Sequence, residues 1–230
     1  MWSEDFDGPA GAAPAGWQIS AAGWGNANYS GWGAINVPVG TNIFRSAPVN
    51  YPSGTRLALQ AGVMMPSTSG NLAGVFMRHH GSTNWGEIDV VESWGPNDLA
   101  GKKAQVATHQ CEKSAPNVPY PCQPDVTSAN NDWEDFKIPG FFALGNKPWD
   151  SYHRYQAEWT VASTNNLIMS AYDYSYAQRY QTTKPSNKLL RVQANTDHFV
   201  TISNKYAVCS SCGGTRSEMW VDYIQLLAYY

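Results

Sequence analysis

Residues 85–94, with the sequence WGEIDVVESW, carry three acids among apolar and β-branched residues. The acids are Glu87, Asp89 and Glu92. On a regular strand alternate residues share a face, so the third acid would lie on the face opposite the first two. We predict a β-bulge at Val90-Val91, because one extra residue restores the phase and brings all three acids to one face. Trp85 and Trp94 would then flank the acids on that face.

Period-two alternation recurs along the chain between clusters of Gly, Pro, Asn and Ser, whereas helical periodicity is absent. The runs at 57–63 and 155–161 are expected to be half-buried strands. Further strands are predicted at 72–78, 87–94, 105–109, 167–174, 199–204 and 219–227, and irregular loops at 111–149. This pattern predicts one all-β domain over residues 1–230, a jelly-roll sandwich of two antiparallel sheets with an open cleft on the concave sheet.

The 230 residues are only 14% charged but 13% aromatic, and the formal net charge is −3. Without a basic cluster we expect no nucleic-acid partner, and without an apolar run of roughly 20 residues no membrane partner. Aromatic rings among neutral polar groups suit a sugar, which has a flat C–H face ringed by hydroxyls. The composition therefore favours a protein that acts on a polysaccharide or oligosaccharide, and we expect it to be a monomer.

The cysteines form two local pairs, Cys111 with Cys122 and Cys209 with Cys212. We predict two short-loop disulfides, which point to a protein outside the cytoplasm, although four cysteines allow three connectivities. A zinc site at Cys209 and Cys212 is the alternative. Residues 1–6 lack the basic and apolar parts of a signal peptide, so we expect a secreted protein in its mature form.

Two carboxyl groups roughly 5 to 5.5 Å apart are what a retaining glycosidase needs, one to attack the anomeric carbon and one to protonate the leaving oxygen. Asp89 between the two glutamates would hydrogen-bond the nucleophile, and its charge would help to keep the acid protonated. The same three acids could instead defend a solvated edge strand against aggregation, or bind calcium.

The stretch 87–92 resembles the E-[I/L/V]-D-x-x-E motif of glycoside hydrolase family 16. Three more segments are similar to that family in the same order, at 2–8, 152–160 and 220–224. The resemblance implies a jelly roll in which Glu87 is the nucleophile, Asp89 its helper and Glu92 the general acid/base. It also implies that His109 adjoins the acid from the neighbouring strand. The extra residue resembles the bulged branch, which includes laminarinases, agarases and carrageenases.

The resemblance leaves the sugar open, because LAGVFMR at 72–78 stands where laminarinases usually carry W-P-A-x-W. We expect β-1,3- or mixed-linkage glucan first and a marine galactan second. Predicted substrate contacts are Trp85, Trp94, His109, Phe76 and Arg78, with Trp24 or Trp32 as further platforms. Arg78 could meet a sulfate or carboxylate of the substrate. No catalytic cofactor is expected.

The family often holds a structural calcium, for which Asp5 and Asp222 are the candidate ligands here. Two other functions stay open at this point. One is a carbohydrate-binding jelly roll without catalysis. The other is a polysaccharide lyase, with His109 as base and Arg78 neutralising a uronic carboxylate.

Overall fold

The computed structural model describes residues 1–19, 27–47, 51–52, 54–67, 71–80, 84–93, 105–112, 131–137, 149, 151–160, 167–173, 175–181, 198–206 and 218–229. These residues form fifteen strands and contain no helix that could span a membrane. Every pairing between the strands is antiparallel, in two separate sheets. The predicted all-β sandwich of two antiparallel sheets is confirmed.

The first sheet has eight strands. They are β1 (Trp2–Glu4), β3 (Asn28–Tyr29), β4 (Ile35–Val37), β6 (Arg56–Met64), β11 (His153–Thr160), β12 (Leu167–Tyr172), β13 (Ser175–Gln181) and β15 (Met219–Tyr229). Their order is β13-β12-β11-β6-β15-β4-β3, and β1 also pairs with β15. The first and last strands of the chain therefore lie side by side.

The second sheet has seven strands. They are β2 (Gln18–Ile19), β5 (Thr41–Ala47), β7 (Asn71–His80), β8 (Asn84–Ser93), β9 (Gln105–Glu112), β10 (Asn131–Lys137) and β14 (His198–Tyr206). Their order is β10-β9-β8-β7-β14-β5-β2, so the acid strand β8 is an interior strand between β7 and β9.

The core lies between the two sheets and is made by alternate residues of their inner faces. In β6 and β11 the inward residues are Leu57, Leu59, Ala61, Val63, Tyr155, Ala157 and Trp159, and all are at most 1% exposed. β8 and β14 contribute Ile88, Val90, Val91, Val200 and Ile202 from the opposite side. Period-two patterning thus decides which face of each strand is buried.

The expectation that β6 and β11 are half-buried is wrong, because their outer faces are covered as well. Gln60, Gln156 and Glu158 point away from the core, yet they are 6%, 3% and 2% exposed. Their side chains hydrogen-bond to one another: Gln60 Nε2 donates to Gln156 Oε1 at 2.6 Å, and Gln156 Nε2 donates to Glu158 Oε1. Arg56 Nε lies 3.6 Å from Glu158 Oε2. Such a connected network makes buried polar residues tolerable on interior strands.

The strand predictions were incomplete in the segment expected to be irregular. β9 continues to Glu112, and β10 lies inside 111–149. β1 to β5 and β13 were not predicted from the sequence. Of the paired cysteines, Cys111 lies in β9, whereas Cys122, Cys209 and Cys212 lie outside the described residues. The disulfides therefore stay a prediction.

An ion pair joins the two sheets near the N-terminus. Glu4 of β1 bonds to Arg45 of β5, and Trp17 Nε1 donates to the same carboxylate at 3.4 Å. The Arg45 guanidinium also lies 5.8 Å from the ring centroid of Trp2. Because β1 belongs to the first sheet and β5 to the second, these contacts hold one edge of the sandwich together.

Candidate active site

The acid strand is bulged where the sequence predicts it. On the β7 side Asp89 pairs with Phe76 and Val91 pairs with Val75, so Val90 is an extra residue between two consecutive partners. Pairing with β9 shifts over the same stretch, between positions 89 and 92 of β8. β8 therefore has one residue more than either neighbour, which confirms the bulge.

The bulge brings the three acid positions to one face. Ile88, Val90 and Val91 are all fully buried in the core. Since the bulge adds one inward residue to the alternation, positions 87, 89 and 92 all lie on the opposite face of the sheet, here called the acid face. Asp89 is only 2% exposed, whereas Glu92 is half-buried. The acid face thus holds a buried carboxyl group next to an accessible one.

Gly74 of β7 provides the space that the bulge needs. It is the cross-strand partner of Glu92, and a Cβ at this position would lie 2.9 Å from the carbonyl oxygen of Val91. It would also lie 3.6 Å from the Cα of Glu92. Since 2.9 Å is below normal van der Waals separation, any side chain at position 74 would push against the bulged backbone.

The two glutamates have different cross-strand neighbours. Glu87 is paired with Arg78 on β7 and with His109 on β9. Glu92 is paired with the glycine described above and with Gln105. The prediction that His109 adjoins the general acid is wrong. Because β9 runs antiparallel and pairs with β8 on both sides of the bulge, its histidine lies beside the predicted nucleophile.

Other predicted substrate contacts have mixed outcomes. Phe76 is the cross-strand partner of Asp89 and is 8% exposed, so it forms part of the floor of the acid face. Trp85 pairs with His80 and Cys111, two residues before Glu87 along β8. Trp94 and Trp24 lie outside the described residues. Their contacts with substrate, and the open cleft, stay predictions.

The acid face extends over β14 and β5 to aromatic residues that the sequence analysis missed. Phe199 is paired with Arg78, and Thr201 with Phe76, which places both on this face. Phe44 of β5 meets Phe199 edge to face, with ring centroids 5.5 Å apart and planes at 89°. Both phenylalanines are partly exposed. β5 carried only a weak sequence signal, because TNIFRSA places Thr, Ile, Arg and Ala on one face and Asn, Phe and Ser on the other.

Trp32 does not lie on the acid face, contrary to one prediction. It follows β3 in the turn to β4, and its ring stacks on Trp220 of β15 at a centroid distance of 5.4 Å. Trp220 stands between two fully buried core residues, Met219 and Val221, so it faces outward from the first sheet. Trp32 is therefore on the side of the sandwich opposite the acids.

The candidate calcium ligands Asp5 and Asp222 lie close enough for their charges to interact, near the pairing of β1 with β15. Burial raises the pKa of Asp222 above its ordinary value, and the charges of Asp5 and Asp7 raise it further. Three carboxylates are the hard oxygen donors that calcium prefers. However, among the described residues no three His, Cys, Asp or Glu side chains converge closely enough to hold an ion. The donor chemistry fits calcium, and its binding stays a prediction.

A serine, a histidine and an aspartate form a hydrogen-bonded chain on the first sheet. Ser151 Oγ lies 3.1 Å from His153 Nε2, and His153 Nδ1 lies 2.7 Å from Asp173 Oδ2. These contacts resemble an acyl-transfer triad. Asp173 also accepts from the backbone N–H of Arg154 at 2.9 Å and donates its own N–H to the Arg154 carbonyl. We assign the chain a structural role, fastening the turn after β12 to the start of β11.

No protein-family model matches the sequence, and no curated protein sequence is significantly similar to it. Solved structures match along the whole chain. The chain has the glycoside hydrolase family 16 fold. A protein of that family from Mycobacterium smegmatis superposes with a TM-score of 0.61 at 15% identity, covering 99% of both chains.

Two other structures with the family 16 fold bear on the question of activity. An endo-1,3-β-glucanase from Streptomyces sioyaensis has a TM-score of 0.67 and 18% identity, over 99% of this chain and 95% of that one. An immunostimulatory antigen described as a pseudo β-1,3-glucanase of Mycobacterium tuberculosis has a TM-score of 0.63 and 15% identity, over 100% and 99%. At such identities the likeness establishes the fold alone, so any activity depends on the chemistry of the acid face.

Proposed function

We propose that the protein is a retaining glycoside hydrolase that cleaves a β-linked polysaccharide internally. The observation that carries this proposal is the bulge at Val90, which puts Glu87, Asp89 and Glu92 on one face of an interior strand. An interior strand has no edge to protect, so defence against aggregation does not explain the acids. Placing carboxyl groups on an interior strand costs free energy, and a catalytic function explains why they are present.

The cross-strand neighbours support different roles for the two glutamates. The cross-strand partners of Glu87 are two basic residues, Arg78 and His109, which suits the residue that must act as an anionic nucleophile. The cross-strand partners of Glu92 are Gly74 and Gln105, neither of which is basic. A retaining glycosidase requires one carboxyl group that is ionised and one that is protonated.

In the first step the Glu87 carboxylate attacks the anomeric carbon while Glu92 gives its proton to the departing glycosidic oxygen. The C–O bond to the leaving sugar breaks, and a glycosyl ester of Glu87 forms. In the second step Glu92, now ionised, takes a proton from water, and that oxygen displaces Glu87 from the same carbon. Two inversions leave the product in the β-configuration. Asp89, between them and buried, holds the Glu87 carboxylate in place.

For the substrate we favour β-1,3- or mixed-linkage glucan, with a marine galactan as second choice. The glucanase from Streptomyces sioyaensis has the same fold. On the acid face, the partly exposed pair Phe44 and Phe199 adds apolar ring surface on the β14 side of the acids. A neutral glycan chain lying across the strands would cover both the acids and these rings.

The test is a panel of laminarin, mixed-linkage glucan, agarose, carrageenan and porphyran, read by reducing ends and product mass. Glu87→Gln and Glu92→Gln should each lower the rate on the cleaved glycan at least about 10²-fold. NMR of fresh products should show the β-anomer. Full activity in either variant, or inverted products, would refute the mechanism.

A non-catalytic glycan-binding protein is the second candidate. The fold is shared with a protein described as a pseudo β-1,3-glucanase, so this fold occurs without that activity. Retention of the wild type on a glycan that it never cleaves, with the Gln variants retained equally, would favour binding over hydrolysis. A lyase would be recognised by new ultraviolet absorbance from an unsaturated uronide.

A further inference from the structure

Trp32 is presented outward by a rigid turn between β3 and β4. Gly31 and Gly33, on either side of it, have φ values of 85° and 81°, a region that favours glycine. Ser30 Oγ accepts hydrogen bonds from the backbone N–H of Trp32 at 3.1 Å and of Ala34 at 3.2 Å. Ser30 N–H in turn donates to the Ala34 carbonyl at 2.8 Å. The backbone of this turn is therefore fixed in one shape.

The indole of Trp32 is held in one plane while remaining open to solvent. It stacks on Trp220 with an interplanar angle of 28°, and the Tyr152 ring meets it edge-on at 6.3 Å. Even so, Trp32 is 61% exposed. A ring supported from behind loses little conformational freedom when a ligand covers its open face, so binding there costs less entropy.

We propose that Trp32 is the platform of a second glycan-binding site, on the sheet that does not carry the acids. A neutral sugar unit of the polysaccharide stacks on the open indole face, and the neutral polar groups of Ser30 and Asn36 lie nearby. Asn36 is the cross-strand partner of Trp220. The site takes up polymer independently of the acid face, and its link to hydrolysis rests on the proposed function.

The size of the exposed apolar surface favours a sugar over a protein partner. A stable protein interface buries about 800 Å² on each side and has several large apolar residues at its centre. In the described part of the chain the exposed large hydrophobic residues are Met1, Trp32 and Tyr229. Tyr229 lies at the other end of β15 from Trp220. A single isolated ring matches a pyranose, which covers about one indole.

Nearby charge indicates which glycans fit. Asp7 reaches this turn, because its Oδ1 would lie 3.4 Å from a Cβ on Gly33. The carboxylate of Asp7 beside the turn repels sulfated or uronic polymers. A neutral glycan has no such penalty, and its hydroxyls can donate to carboxylates.

The experiment measures retention on insoluble β-1,3-glucan, agarose and carrageenan in the Glu92→Gln background, which limits digestion of the matrix. Trp32→Ala should lower the association constant for a neutral matrix about tenfold, the effect expected for truncating an aromatic anchor. Trp32→Phe should keep part of the wild-type association constant. The matched control is Tyr229→Ala, which removes a 39% exposed aromatic elsewhere on the same sheet.

With Glu92 intact, Trp32→Ala should leave kcat/KM on a soluble oligosaccharide unchanged while slowing release from the insoluble polymer. Unchanged retention in Trp32→Ala, an equal loss in Tyr229→Ala, or tighter retention on carrageenan than on neutral matrices would overturn the proposal. If the wild type cleaves no glycan but is retained on a matrix through Trp32, the proposed hydrolysis is refuted and the Trp32 binding site is supported. If the wild type cleaves a glycan and its retention does not depend on Trp32, the Trp32 binding site is refuted and the proposed hydrolysis is supported.

Discussion

Replacing Gly74 by alanine tests whether the shape of the bulge positions Glu92. The new methyl group would lie 2.9 Å from the Val91 carbonyl oxygen, and this neighbour is backbone, so it cannot rotate away. Overpacking of this kind costs about 1–3 kcal/mol. In a chain of this length each kcal/mol lowers Tm by about 2–4 °C. A Tm decrease of about 2–12 °C is expected.

The catalytic effect should exceed the effect on folding. Relief of the clash moves the bulged backbone away from β7 and carries Glu92 with it. A displacement of about 1 Å in a catalytic group can cost 10²-fold in rate, so we expect kcat to fall about 10- to 100-fold. Because the proton transfer matters in the transition state, KM should change much less than kcat.

Gly62→Ala is the matched control, since it places the same methyl group in an interior strand of the other sheet. Its Cβ would lie 2.6 Å from the Tyr223 ring. This variant should lose thermal stability but keep kcat per folded molecule, measured on the soluble glycan that the wild type cleaves. A folded Gly74→Ala enzyme with wild-type kcat, or equal kcat losses in both variants, would refute the reasoning.

Three further variants probe charge and burial. Burial, Asp5 and Asp7 raise the pKa of Asp222, so the fold loses stability as pH rises above the ordinary value of 3.8. Asp222→Asn should therefore have the higher Tm at pH 7 and no advantage below about pH 3, and added calcium should raise Tm only in the wild type if Asp222 is a ligand. Burial and then Asp222 raise the pKa of Tyr152 to about 12, so ionisation destabilises the fold as pH rises from 10 to 12. At pH 7 Tyr152→Phe should be as stable as the wild type or up to about 1 kcal/mol more stable. Its advantage in Tm should grow between pH 10 and 12. Glu4→Gln breaks the ion pair with Arg45 and should cost about 1 kcal/mol in denaturant unfolding, without a change in kcat.

The bulge could be predicted because its signal is local. In EIDVVES the alternation of acids and apolar residues fails by one position, and only an extra residue corrects it. The partner of each acid is not a local property. His109 could not be assigned to Glu87 or Glu92 from the sequence, since that assignment depends on where β9 enters the sheet.

The positions of two aromatic residues, Trp32 and Phe44, also depend on contacts that are distant along the chain. Trp32 is conspicuous in the sequence, but a turn residue carries no information about which sheet it packs on, and its place was decided by Trp220, far along the chain. Phe44 was missed because Arg45 interrupts the inward, apolar face of β5. That arginine is accommodated by Glu4 of the other sheet, a contact that no periodicity predicts.

The bulge at Val90 also means that the number of residues between the two glutamates does not measure the distance between them. Without Val90 the strand would read EIDVES, and regular pairing would still set its second glutamate opposite Gly74 and Gln105. Chains with four or five steps between these acids can thus present the same constellation to a substrate. What the extra residue adds lies on the other side of the sheet, where two consecutive valines enter the core in place of one.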